Sequence, residues 1–180
     1  MLTTSQTPGF GTSSLQDSNS TDYITTASKA AFGYGTGDFT VEFFARPTDV
    51  TGIRIWYDQR TALNQTRPAI YASNDEIRYF VSGADRILGG AASVVVNTFQ
   101  HVALCRASGS TRLFVGGVQK GSTWADATNY DAGLIILGQA GDQLGGSFGF
   151  IGQMKGLRVT KGVARYTSNF SPPTALFPNS

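Results

Sequence analysis

"DFTVEFFARP", residues 38–47, alternates in a way that an extended backbone explains. Successive side chains of a β-strand point to opposite faces, so Phe39, Val41 and Phe43 leave on one side and Thr40, Glu42 and Phe44 on the other. A strand with a continuous apolar face needs a second layer to cover it. The same texture continues on both sides: "YITTA" (23–27), "IRIWYDQ" (53–59), "PAIYASN" (68–74), "EIRYFVS" (76–82), "ASVVV" (92–96), "QHVALCRA" (100–107), "TRLFVGGVQ" (111–119), "GLIILGQ" (133–139) and "FGFIGQMKGLRVT" (148–160). These make about ten strands, set apart by Gly, Asn, Asp or Ser at intervals of roughly ten residues. No glycine-free window of helical length keeps an apolar i, i+3, i+4, i+7 pattern, apart from one turn near residues 27–32. The expectation is an all-β chain folded as a two-sheet antiparallel jelly-roll sandwich.

The composition agrees with that class. Of 180 residues, 22 are glycine and 6 proline, 41% are hydrophobic and only 14% charged, which describes a turn-rich, core-forming chain of one domain. The expected division is a polar N-terminal arm at 1–12, the sandwich at 13–170 and a proline-containing tail at 171–180. A formal charge of +2, with arginines scattered and never in a run, argues against nucleic acid as a partner. Cys105 is the sole cysteine, so the chain has neither an internal disulfide nor a thiolate metal cluster. The N-terminal sequence lacks the charged and apolar blocks of a signal peptide, and no segment approaches the ~20 apolar residues of a membrane span. The expectation is a soluble protein made in a cytoplasm, with no membrane partner and no cofactor.

Few residues invite catalytic chemistry. A glycoside hydrolase needs two carboxylates facing one cleft. Glu42 has Phe44, not an acid, as its i+2 neighbour, which makes it a solvated or salt-bridged strand residue; Glu76, in "SNDEIR", reads as a turn residue. His101 is the only histidine. It shares a strand face with Ala103 and Cys105, and is expected to be a partly buried ring bonded to backbone, with Cys105 an inert buried thiol. The oxygen-rich turns "LQDSNSTDY" (15–23) and "NYDAG" (129–133) lack the spacing of a calcium loop, so no metal site is assigned. "GYGTGD" (33–38) precedes a strand instead of opening a helix, and reads as a flexible crossover and not as a phosphate cradle. What remains is aromatic: Trp56, Tyr57, Tyr71, Trp124 and Tyr130 lie in or beside loops, where rings stack on sugars or anchor interfaces. Trp124 and Tyr130, then Trp56, are the candidate ligand-binding rings.

Three segments carry a resemblance. "FTVEFFARP" resembles a strand of the laminin-G-like, concanavalin A-like lectin/glucanase family, and "FQHVALCRASGSTRLFVGGVQKGS" (99–122) resembles its following hairpin. "FIGQMKGLRVTKGVARYTSNFSPPTALFP" (150–178) is similar to the closing strand and tail of the versions common in bacteriophage virion proteins. The resemblance spans roughly residues 13–178 and implies a concanavalin A-like sandwich whose last strand lies near the start of the chain, with a tail packed back on it. On that footing Arg158, Arg165 and Tyr166 are expected to pin the tail, and Pro172 and Pro173 to stiffen it. "QMKG" (153–156) stands where relatives carry an acidic pair and "VGG" (115–117) where many have "VDG", which counts against a calcium or sugar site dependent on those acids. The family's glucanases carry a paired-acid strand that is missing here, so enzyme activity is not carried over. The implied role is a non-enzymatic bacteriophage structural protein located in the virion, a capsid decoration or accessory protein that touches other virion proteins, assembles as a homo-oligomer such as a trimer, and adheres to glycans. A carbohydrate-binding, receptor-recognition protein of the tail fibre or spike is the alternative.

Overall fold

The computed structural model describes residues 21–175 and 177, together with the backbone of two short strands at 2–3 and 14–17. In chain order the strands are β1 (Leu2–Thr3), β2 (Ser14–Asp17), β3 (Ile24–Thr25), β4 (Phe39–Asp49), β5 (Ile53–Asp58), β6 (Ala69–Ser73), β7 (Glu76–Val81), β8 (Ala84–Leu88), β9 (Gln100–Ala107), β10 (Ser110–Val115), β11 (Val118–Ala125), β12 (Ile136–Leu137) and β13 (Ile151–Lys161). A 3₁₀ turn, Ala30–Phe32, precedes β4. The strands form a seven-stranded sheet, β1-β2-β13-β4-β9-β10-β11, and a six-stranded sheet, β3-β12-β5-β6-β7-β8, with antiparallel pairing throughout both. The all-β jelly-roll expectation holds.

The alternation in 38–47 is realised as read. Phe39, Val41, Phe43 and Ala45 enter the core between the sheets, where Trp56, Tyr57, Ile70, Ile77, Tyr79, Leu104, Leu113 and Phe150 meet them. Aromatic volume dominates this interior, and the buried hydroxyls are paired: Tyr34 with Tyr57 at 3.2 Å, and Tyr79 with Tyr130, whose hydroxyl donates to Asp126 at 2.7 Å. The other face of β4 is buried as well, for Thr40 and Glu42 are 0% exposed and Phe44 is 5%. No second sheet covers that side. The chain leaves β13 at Lys161 and returns across the outer face of the seven-stranded sheet, so the tail begins well before residue 171 and includes Tyr166 and Phe170.

Three strand expectations are corrected. "ASVVV" forms no strand: Ala92 has a φ of +57°, and only Ser93 and Val94 of the five are buried, held by the Val94 backbone N–H donating to Asp75 and the Ser93 hydroxyl accepting from the Ile77 N–H. The strand there is β8, whose alternating Asp85 and Arg86 sit at an edge where polar side chains are tolerated. "TRLFVGGVQ" is a hairpin of β10 and β11, turned by Gly116 and Gly117 at φ of +60° and +77°, the left-handed pair that a tight two-residue hairpin requires. In "IRIWYDQ" the register with β6 slips between Ile55 and Tyr57. The extra residue of that bulge turns both Trp56 and Tyr57 into the core, although strict alternation would separate them. "GYGTGD" is tied down rather than flexible, since Gly35 and Tyr130 exchange both backbone hydrogen bonds and Tyr34 is buried. No helix among the described residues is long and apolar enough to cross a membrane.

Candidate functional site

Glu42 is the hub on the outer face of the seven-stranded sheet. Arg158, directly opposite it on the neighbouring strand β13, donates to it from Nε at 2.8 Å and Nη2 at 2.7 Å; Tyr166 donates its hydroxyl at 2.9 Å; and His101 Nε2 meets it at 3.0 Å. An ionised carboxylate only accepts, so Nε2 carries the hydrogen, and Nδ1 has no partner among the described residues. His101 therefore bonds a carboxylate and not backbone, which corrects the expectation for it. Glu42 is likewise salt-bridged and sealed, not solvated. The residues named as tail anchors converge here. Arg165 lies 3.6 Å from Glu42 and donates to Thr160, and its backbone N–H donates to Thr40 at 3.0 Å. Tyr166 and Phe170 stack at 3.6 Å, Phe170 packs edge-on to Phe114 and His101, and Phe177 reaches Phe44 with the Arg158 guanidinium 4.2 Å over its ring. Gly117 accepts from the Phe170 backbone N–H, and a Cβ there would stand 2.0 Å from the Phe170 carbonyl oxygen and 3.0 Å from Pro172, so only glycine lets the tail lie this close. Pro173 is half-buried.

Burial alone would raise the Glu42 pKa, but the hydrogen bonds from His101, Arg158 and Tyr166, aided by the Arg158 charge, hold the carboxyl below its ordinary 4.5. A depressed carboxylate contributes stability that is complete above the unfolded-state value and is lost as pH falls through the lower folded-state value. Acidification below about pH 4.5 is therefore expected to loosen the tail, read as faster amide exchange at residues 163–175 before the sandwich unfolds. Exchange there that stays flat until global unfolding would contradict this. Cys105 lies beneath the same tail, its thiol pushed up to about 11 by burial, which agrees with an inert side chain.

An accessible concavity lies on the opposite side of the molecule, on the outer face of the six-stranded sheet. A groove of about 190 Å³ is lined by Ile53, Ile55, Tyr71 and Phe80 from β5 to β7, and by Arg60, Leu63, Ala140, Asp142, Gln143 and Phe148 from two loops. Antiparallel register explains the strand contribution: Ile70 and Ala72 face the core, so Tyr71 faces out; Ile77, Tyr79 and Val81 face in, so Phe80 faces out. The loops are fixed by Asp58. Its carboxylate accepts from Arg60 Nε at 2.9 Å, Arg60 Nη2 at 2.8 Å and the Gly141 backbone N–H at 3.0 Å, binding loop 59–68 to loop 138–150. Gly141 sits so close that a Cβ would stand 1.9 Å from the Arg60 carbonyl oxygen. The Arg60 guanidinium lies 4.7 Å over the Phe80 ring, with Asp142 3.6 Å from Nη2. Tyr71 donates its hydroxyl to Asp85 at 2.6 Å, and burial followed by that carboxylate pushes its pKa up to about 12.

Of the three rings proposed for ligand contact, Trp56 is 0% exposed and Tyr130 2%, and both belong to the core. Their loop-flanked sequence positions conceal a bulge in one case and the Gly35 pairing in the other. Trp124 is half-buried against Tyr79, with Arg86 over its ring. None of the three lines the groove. The groove was findable from the hairpin "AIYASNDEIRYFV" (69–81), because a turn at Asn74 and Asp75 puts two aromatics on the same outward face of paired strands. Its loop residues have no local signature. No group of three or more His, Cys, Asp or Glu side chains able to hold a metal occurs among the described residues.

Two stacked antiparallel sheets, with an aromatic core, a groove on one outer face and a strapped tail on the other, define a lectin-like sandwich. The chain belongs to the concanavalin A-like lectin/glucanases superfamily, which residues 17–164 match. No curated protein matches it in sequence. Among solved structures, the fold is similar to the Ruminococcus gnavus IT-sialidase CBM40 bound to α2,3-sialyllactose, at TM-score 0.59 and 12% identity over 79% of this chain and 94% of that one. It is similar to the botulinum neurotoxin serotype G binding domain, at TM-score 0.65 and 12% identity over 87% of this chain and 41% of that one. It also resembles domains LG4-5 of mouse laminin α1, at TM-score 0.58 and 16% identity over 86% of this chain and 43% of that one. At such identities the likeness is one of fold.

Proposed function

We propose that this is a non-catalytic glycan-binding protein of a bacteriophage virion, with the groove beside Phe80 and Phe148 as its binding site. The groove carries the reading: an apolar floor with a few polar groups at its rim is how protein sites hold the C–H face of a sugar while orienting its hydroxyls. A fold neighbour described with sialyllactose bound supports it. Glu42, the glutamate of β4, is locked beneath the tail with its oxygens engaged, which supports the non-catalytic part. The virion setting rests on the resemblance of residues 150–178 to phage versions of the family. Within a virion, both a capsid decoration that adheres to glycans and a fibre- or spike-borne receptor reader fit, with assembly as a homo-oligomer such as a trimer; the groove favours the adhesive role in either place.

Phe148→Ala is expected to weaken glycan binding by about 1–3 kcal/mol, roughly five- to hundredfold, with the melting temperature nearly unchanged because the ring is half-buried at a loop. Calorimetric titration of both proteins with a glycan identified on an array checks this; equal affinities would remove the groove from the function. Immunogold labelling of intact particles tests the virion setting, and particles free of label would refute it.

A further inference from the structure

We propose that the groove selects neutral saccharides and rejects acidic ones, an inference that rests on the glycan-binding reading above. Its volume of about 190 Å³ lies below the roughly 300–1,000 Å³ of sites for drug-sized ligands, which suits a single ring or chain end and not a long stretch of polymer. Ile55, Phe80 and Phe148 form an apolar wall for one face of that ring, and Leu63, 54% exposed, adds an apolar edge.

The charge arrangement decides the class. Arg60 is the one cation lining the groove among the described residues, and its Nε and Nη2 are both engaged by Asp58. Asp142 stands 3.6 Å from Nη2, beyond hydrogen-bonding distance, so its oxygens are available to accept from ligand hydroxyls. A neutral sugar supplies such donors. A sialic acid, uronic acid or sulfate brings only acceptors at its charged group, set against a carboxylate in a partly dry site. The next cation along the sheet, Arg78, is held between Glu76 at 2.6 Å and Asp85 at 3.2 Å. Among the described residues lining this groove and its border, the guanidinium groups of Arg60 and Arg78 are thus outnumbered by Asp58, Asp142, Glu76 and Asp85. The Tyr71 hydroxyl, already donating to Asp85, is not offered to an anion either. Exclusion by like charge is a recognised source of specificity.

The test uses the full chain on an array of neutral oligosaccharides printed beside their sialylated, sulfated and uronic-acid counterparts, followed by titration of the best pair. Neutral members should bind, with affinity insensitive to salt between about 50 and 500 mM, as expected for a contact without ion pairing. Asp142→Asn keeps the shape of the side chain but removes its charge, and should raise acidic-over-neutral relative binding by about fivefold or more. Thermal melts of both proteins confirm that folding is equal. Preference for the acidic members, lost in Phe148→Ala, would overturn the selectivity while leaving the groove as a glycan site. Binding of no glycan at all would overturn the glycan reading and the selectivity with it.

Discussion

Glu42→Ala is expected to lower the unfolding free energy by about 3–5 kcal/mol, the cost of removing one partner from a buried, hydrogen-bonded ion pair. The side chain is fully buried and receives bonds from Arg158, Tyr166 and His101, so its removal strands a guanidinium and a hydroxyl under the tail and leaves the histidine Nε2–H without its carboxylate acceptor. The loss should be expressed first in the tail. Protease cleavage or amide exchange at residues 163–175 should accelerate more than exchange in β5 to β7, because the core on the far side makes no contact with Glu42. Glu42→Gln keeps an acceptor and the shape but loses the charge, and should fall between the two proteins. An unfolding free energy for Glu42→Ala, from chemical denaturation, within about 1 kcal/mol of the parent would show that the stranded Arg158 and Tyr166 find water or other partners and that Glu42 does not hold the tail.

Trp56→Ala should cost a similar 3–5 kcal/mol for a different reason, the cavity left when a large buried aromatic is truncated. Trp56 is 0% exposed and packs edge-on to Phe150 at 5.6 Å. In a domain of this size each kcal/mol shifts the melting temperature by about 2–4 °C, so a fall of roughly 6–20 °C is expected. Below the lowered transition, glycan binding should persist, since this ring is in the core and not at the groove. The indole N–H has no hydrogen-bond partner among the described residues. Trp56→Phe, which removes that buried donor with only part of the volume, should therefore be considerably milder than the alanine change. A Trp56→Ala protein of parental stability that had lost its ligand would reverse the assignment.

The fold was readable from residues 38–47 because period-two alternation is a local property of the chain and survives in the structure residue by residue. The same strand also shows where such reading ends. Its burial is continuous from Phe39 to Ala45, and nothing in the strand says that the second face is covered by residues more than a hundred positions later. Trp56 and Tyr57 misled because a bulge is a property of a strand pair, not of one strand. The groove is harder still. Tyr71 and Phe80 were visible as outward rings once paired, whereas Arg60, Asp142 and Phe148 meet only through the Asp58 tie between two loops that look like ordinary polar turns in sequence.

The position of β13 has a consequence for the order of events on the ribosome. It lies between β2 and β4, so the first strands of the chain have no neighbour in the main body of their sheet until residues 151–161 have been made. Synthesis proceeds at about 5–20 residues per second, and pairings of such large sequence separation form slowly even afterwards. The face bearing Phe44, Ala103, Cys105 and Phe114 stays wet for longer, until Tyr166 and Phe170 have emerged to close over it. Nascent chains stopped between residues 125 and 160 should thus carry a nearly complete six-stranded sheet beside an open, sticky one. They are the species in which trigger-type chaperones and aggregation compete, and a ribosome-stalling series across those lengths would catch the exchange.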